Sequence, residues 1–399
     1  MSFIFSFYLA EVYLFLKNKE IISSRGNVEH RIKQIDKTKF DISTYDKRTK
    51  FELFFDERKV REIAPLIHPL NWTRNNFIKK NFGKDLFPLS NISNMQNIDC
   101  NENGMYNIFK TDRHGFRNPD KVWDEENIEI IILGDSFAHG ACVSEGKDIG
   151  SKIREITNRN VVNLAIGSTG PLIQYATLRE YGISLKPSKV LWTYSELNDL
   201  SDLASEKKNE VLNNYLIDEN FTQNLLNSNE EINKILKFYL ETKVKEYLSS
   251  EYKDRIVFHS QLKNTFGLHN LKLYNLRNLI FNDQKKIKNK KNINSKNLDM
   301  LIDIVKNSNE KVKTLGGDFY FVYLPSFSRS EDSNYKKEEY EYLLKNLKKN
   351  NIKVIDIFSK LFKNSDNPKS FFPFEIGGHY NEKGYYEVSK IIIDQIYKK

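Results

Sequence analysis

Two short clusters hold the residue types that acyl-transfer chemistry needs. Gly134-Asp135-Ser136 offers a hydroxyl after a flexible glycine, and Gly377-Gly378-His379, near the other end of the chain, offers an imidazole. A serine becomes a nucleophile when a base such as histidine takes its proton. The amide of Ser136, at the start of a helix, can also hold developing negative charge. Two further stations lie between these clusters. Gly167-Ser168-Thr169-Gly170 is a run of small residues whose amides can approach a ligand, and Asn198 carries a side-chain amide. Ser136 and His379 are therefore the candidate nucleophile and base, and Ser136, Gly167, Ser168 and Asn198 the candidate oxyanion donors. Asp135 is read as a hydrogen-bonding member of its turn, because consecutive residues at a strand end point apart. Glu196 and Asp199, beside Asn198, are read the same way. Of the other histidines, His139 falls on the turn leaving the serine. His30, His68, His114, His259 and His269 stand in segments without matching strand ends.

These stations need a scaffold that brings them to one edge, and the pattern around them supplies it. Residues 128 to 135, IEIIILGD, form a continuous apolar run of the kind that a parallel strand buried on both faces shows. An amphipathic stretch at 147 to 157, a second buried run at 159 to 167, a Pro-initiated helix at 171 to 183 and a third strand at 188 to 199 follow. After a helical insertion at about 200 to 300, the alternation resumes. Helices at 298 to 315, 336 to 351 and 381 to 399 enclose strands at 316 to 326 and 352 to 358. Five strands with crossover helices imply an α/β protein with a parallel sheet. Ligands of such sheets bind beyond the carboxyl ends of the strands, where the four stations fall.

The chain has 399 residues and a net charge of +9. Its lysines are scattered among Asn and Ile, as at 285 to 297, and no nucleic-acid motif accompanies them. Its two cysteines, Cys100 and Cys142, have no metal spacing. They stand free or form one disulfide, the latter suited to a domain outside the cytoplasm. Residues 2 to 16 are apolar apart from Ser2, Ser6 and Glu11. A membrane anchor, an interfacial helix and a buried helix all remain open for them. The stretch is shorter than the roughly 20 residues a span needs. Lys17 and Lys19 after it would place the rest of the chain in the cytoplasm, whereas a disulfide argues the reverse. The expected organisation is an apolar N-terminal helix over 1–19, an irregular extension with a few strands over 20–125, and the α/β domain over 126–399.

Taken in order, the Ser, Gly, Asn and His stations resemble the SGNH (GDSL-type) hydrolase family across 128 to 199 and 316 to 399. Residues 111 to 124, TDRHGFRNPDKVWD, resemble the approach segment of bacterial, often membrane-anchored SGNH-like proteins. The resemblance implies a three-layer flavodoxin-like fold, a Ser136 nucleophile, a His379 base and an oxyanion hole from Ser136, the 167–168 turn and Asn198. It implies hydrolysis of O-acyl groups, such as acetyl, on a carbohydrate or cell-surface glycan, with no cofactor. An O-acyltransferase or a non-catalytic glycan-binding or assembly protein are the alternatives on the same fold. Many members carry an Asp three residues before the His. Here that position is Ile376, which leaves Glu375, a backbone carbonyl or a Ser–His dyad. The turn glycine of the second block falls at or beside Ser168, which must then adopt the angle the turn needs. A Cys100–Cys142 disulfide would pin the N-terminal region against the active-site helix.

Overall fold

The computed structural model describes residues 28–35, 40–73, 76–249 and 295–397. They divide into two compact units. One comprises the chain up to Ile42 with Phe238–Ser295, and its described part includes the helix Val28–Gln34. The other, Ser43–Lys237 with Lys296–Lys399, contains both sheets and every residue of the site described below. The expected boundary at 125 therefore does not separate compact units. Residues 43–125 belong with the α/β sheet. The apolar segment at 1–19 lies outside the described residues, and among the described residues no helix is long and apolar enough to cross a membrane.

In the second unit, α1 (Lys50–Glu57) precedes a small sheet of β1 (Ile63–Pro65), β2 (Gln96–Ile98) and β3 (Ile108–Lys110). β2 pairs parallel with β1 and antiparallel with β3. His68 follows β1, and the turn between β2 and β3 holds Cys100 and Glu102. β4 (Ile130–Leu133) then opens the main sheet, and all four of its side chains are fully buried. Each such aliphatic side chain contributes roughly 1.5–3 kcal/mol. α2 (Ser136–His139), α3 (Ile149–Thr157), β5 (Val161–Asn163), α4 (Pro171–Thr177) and β6 (Lys189–Ser195) follow. Next come α5 (Asp199–Glu206), α6 (Glu210–Ile217) and α7 (Asn229–Leu248), within the span expected to be a helical insertion. α8 (Ser295–Thr314), β7 (Asp318–Leu324), α9 (Lys337–Lys349), β8 (Lys353–Asp356) and α10 (Glu382–Ile396) complete the chain.

The five strands pair in the order β5-β4-β6-β7-β8, all parallel. This is the flavodoxin-like 2-1-3-4-5 order. α3 packs with α10, and α4 packs with α5 and α6. The result is the parallel α/β sheet expected from the alternating pattern, in the three-layer arrangement that the resemblance implied. The chain runs from β4 outward to β5, then returns past β4 to β6. The order therefore reverses between β4 and β6, and the crevice at such a switch point is where ligands bind. Ser136 follows β4 and Asn198 follows β6, so the topology sets both beside that crevice.

Candidate active site

Gly134 turns the chain off β4 at φ 154°. A Cβ there would lie 1.9 Å from Thr193 Oγ1 on β6 and 2.7 Å from the Ala138 Cβ, so only glycine fits between the two strands. Asp135 caps α2: its carboxylate accepts the Phe137 amide proton at 2.9 Å. The turn role expected for Asp135 is the one the structure shows. Burial raises its pKa to about 6, against the opposing pull of the Phe137 amide and of His379.

Ser136 Oγ lies 2.8 Å from His379 Nε2. The structure thus brings together the two residues from opposite ends of the α/β region. His379 stands just before α10, where Gly377 and Gly378 both take positive φ, 105° and 106°. Its ring packs on Phe137, centroids 4.9 Å apart. Nδ1–H points at Glu102 Oε1, 3.1 Å away, and the His379 backbone N–H donates to Glu102 Oε2 at 2.6 Å. Both carboxylate oxygens are therefore committed to one residue, which fixes the ring's position and its tautomer together. Burial pushes the imidazole pKa down, but the charge and hydrogen bond of Glu102 outweigh it and raise the pKa to about 9.

Glu102 corrects the expectation for Glu375. Glu375 is exposed and accepts a hydrogen bond from Asn367 Nδ2 at 3.1 Å. The acid against His379 comes instead from the β2–β3 turn, far upstream in the chain. Gly378 shows how the space is kept: a Cβ there would lie 2.3 Å from Glu102 Oε2.

The turn bearing Glu102 is tied down on several sides. Cys100 is disulfide-bonded to Cys142, with 5.0 Å between Cα atoms, in the loop that follows the nucleophile helix. Asp99 Oδ2 accepts the Cys142 amide proton at 3.1 Å, and Asn103 Nδ2 donates to the Cys142 carbonyl at 2.6 Å. The Asp46 amide donates to Gly104 O at 2.7 Å. The HGFR segment braces the same loop. Buried Arg117 donates to the carbonyls of Gly140 (2.5 Å), Val143 (2.9 Å) and Ser144 (3.1 Å). Gly115 is required beneath it, because a Cβ would fall 2.0 Å from Asn91 O. The disulfide closes a loop with a sequence separation of 42. Loop entropy then gives about 4 kcal/mol of stabilisation. Reduction of the folded protein should lower its Tm accordingly. A thermal melt unchanged by reductant would show that the cross-link contributes nothing.

The other stations lie as the strand order dictates. The 167–170 turn approaches Ser136, since a Cβ on Gly167 would sit 3.5 Å from the Ser136 Cβ. Ser168 adopts φ 59°, the left-handed angle that the turn demands. Among the described residues, neither the Gly167 nor the Ser168 amide has a hydrogen-bond partner. Thr169 Oγ1 lies 3.0 Å from Gly134 O and joins the two turns. Asn198 is oriented differently from expectation. Its Nδ2 donates to Asp202 at 2.7 Å, and its Oδ1 accepts from Ser195 Oγ at 3.2 Å. One Asn198 amide proton is thus taken by a carboxylate, whereas the backbone amides of 136, 167 and 168 have no hydrogen-bond partner among the described residues. Glu196 and Asp199 are structural, as read. Glu196 pairs with buried Arg329 at 2.6 Å, and Asp199 accepts the Ser195 amide proton at 3.0 Å. Burial raises Asp199 well above the ordinary carboxylate range and Glu206 to about 8. Glu206 accepts the Gly170 and Leu172 amide protons at the start of α4.

Two residues at the site were not singled out from sequence. Glu102 lies in an Asn-rich turn without periodic pattern, and its one local signal is the cysteine two positions before it. His68 has no matching strand end in the sequence pattern. Its Nδ1 lies 3.0 Å from Gly167 O, across 99 residues of sequence. His139, by contrast, is buried with Nδ1 3.2 Å from Ala165 O, and burial lowers its pKa to about 4. His114 pairs with Asn229, while His30, His259 and His269 fall where the side chain or the whole residue lies outside what is described.

An Oγ–Nε2 hydrogen bond backed by a carboxylate on Nδ1, beside free amides, is an arrangement able to run nucleophilic acyl chemistry. No metal is required by it. The one cluster of metal-ligand type among the described residues, Cys100, Cys142 and His379, has both its sulfurs in the disulfide.

No protein-family model matches the chain, and no curated protein matches it in sequence. Among solved structures it is similar to a lipolytic protein of the G-D-S-L family from Desulfitobacterium hafniense, at 14% identity and a TM-score of 0.35, over 67% of this chain and 98% of that one. It is also similar to an acylhydrolase from Bacteroides fragilis, at 12% identity and a TM-score of 0.33, over 67% of this chain and 86% of that one. A third is the acetyl xylan esterase AlAXEase, at 11% identity and a TM-score of 0.34, over 66% of this chain and 98% of that one.

Proposed function

We propose that the chain is a serine ester hydrolase of the SGNH type that removes O-acyl groups, acetyl foremost, from a carbohydrate or cell-surface glycan. The observation that carries this reading is the Ser136–His379–Glu102 relay, with 2.8 Å and 3.1 Å at its two hydrogen bonds. Ser136 Oγ attacks the acyl carbon while its proton passes to His379 Nε2. The carbonyl oxygen takes the charge and is received by the amides of 136 and the 167–168 turn. Collapse of the tetrahedral intermediate expels the alcohol, which takes the proton from Nε2. Water then repeats the sequence on the acyl-serine and returns the free acid.

A histidine without an orienting acid would favour the non-catalytic alternative. Glu102 stands at His379 Nδ1, which favours the enzyme reading. The disulfide beside the site supports a domain in an oxidising compartment outside the cytoplasm. A fluorophosphonate probe tests the core of the proposal. Labelling of the folded protein that disappears in Ser136→Ala is the expected result. A folded wild-type protein that takes up no probe would exclude a serine nucleophile.

A further inference from the structure

His68 lies at the site, and the relay does not use it. Its ring rests against Gly167: a Cβ on that glycine would be 3.1 Å from His68 Cε1, 3.2 Å from Nδ1 and 3.5 Å from the Ser136 Cβ. Gly167 is therefore sandwiched between His68 and the nucleophile. The partner of Nδ1 is the Gly167 carbonyl, which can only accept, so Nδ1 carries a proton. The other nitrogen, Nε2, has no hydrogen-bond partner among the described residues and is accessible to solvent. The ring is half-buried and shares the Cβ face of Gly167 with Ser136.

The charge state of this ring decides what Nε2 does. Burial, with the nearby Lys50 ammonium, lowers the His68 pKa below its ordinary value. The ring is then neutral, with Nδ1 protonated and a lone pair on Nε2. A lone pair repels a developing oxyanion, so His68 is no oxyanion donor. It attracts a hydroxyl proton. An ester of a simple alcohol has no such proton to offer, whereas an ester of a polyol has one on a neighbouring carbon.

Building on the esterase reading, we infer that His68 Nε2 accepts a hydrogen bond from a second hydroxyl on the alcohol part of the substrate, and so selects O-acylated sugars over simple esters. The competing role is a clamp that only holds the Gly167 carbonyl. His68→Asn separates the two, because an Asn amide can reproduce the Nδ1–H donor while lacking any group at the Nε2 position.

The test compares kcat/KM for a mono-O-acetylated methyl glycoside, for its analogue lacking the vicinal hydroxyl, and for p-nitrophenyl acetate. In the wild type, the hydroxylated ester should be preferred to its deoxy analogue by about 10-fold, the upper end of what one neutral hydrogen bond contributes net. H68N should erase that preference and lower the ratio of sugar ester to p-nitrophenyl acetate by a similar factor. An equal loss on all three substrates would leave only the clamp and overturn the inference, as would a deoxy preference retained in H68N. Binding of the deacetylated methyl glycoside, followed by NMR titration of wild type and H68N, gives a readout independent of turnover. His68-dependent binding in a protein that hydrolyses nothing would reject the esterase reading and keep the subsite. Hydrolysis of sugar esters without His68-dependent binding or deoxy discrimination would do the reverse.

Discussion

Ser136→Ala should reduce release of p-nitrophenol from p-nitrophenyl acetate by about 10⁴-fold or more, because the whole covalent route depends on one oxygen. The residual rate is what the amides of 136, 167 and 168 sustain by polarising the carbonyl for attack by water. The variant should fold as the wild type does. Ser136 is not an interior packing group, and the cap on α2 belongs to Asp135, which holds the Phe137 amide. A wild-type Tm together with lost turnover assigns the oxygen its role. Turnover undiminished by the substitution would refute the nucleophile assignment, whatever the geometry at His379.

What could be read in the chain follows from where the signals are local. β4 announces itself as four consecutive buried aliphatic residues, and Gly134 as the residue that must turn where β6 is close. The strand order then sets Ser136 near Asn198 without further information. His379 was legible because two glycines and a helix start mark a loop at the right end of the sheet. Glu102 was not, because its relation to His379 spans 277 residues and no periodicity encodes it. The family pattern pointed to the residues just before the histidine, where Glu375 is exposed to solvent. Gly378 held the missing clue, since its lack of a side chain makes room for Glu102, but a glycine does not name what fills the space. His68 escaped for a similar reason. A histidine after a three-residue strand in an irregular segment has no pattern until that segment folds over the 167–170 turn. Asn198 shows the converse. It stands just beyond β6, but Asp202, one helical turn further on, takes one of its amide protons.

Glu102→Gln should lower kcat by about 10³-fold and change the pH dependence of what remains. A triad that loses its acid but keeps its shape typically drops by up to about 10⁴-fold. The pH effect has a definite sign. His379 works as a base only when neutral, and Glu102 raises its pKa to about 9. Wild-type kcat/KM should therefore climb as the pH rises toward about 9. In the Gln variant the largest raising influence is gone, the weaker pull of the Asp135 and Asp99 charges remains, and burial still pushes the imidazole down. The acidic limb should therefore shift to lower pH than in the wild type. The linked stability follows the same rule. A pKa raised on folding stabilises the native state below 6.5, and that contribution fades as the pH rises through about 9. The Gln variant should lose the pH-sensitive part of the thermal melt across this window. Gly378→Ala provides an independent route to the same state, since its methyl would meet Glu102 Oε2 at 2.3 Å and drive the carboxylate off the ring. Glu375→Gln should leave rate and profile at wild-type values. If instead Glu375→Gln moved the limb and Glu102→Gln did not, the acid would be the one beside the histidine in sequence, and the turn between β2 and β3 would be scaffold alone.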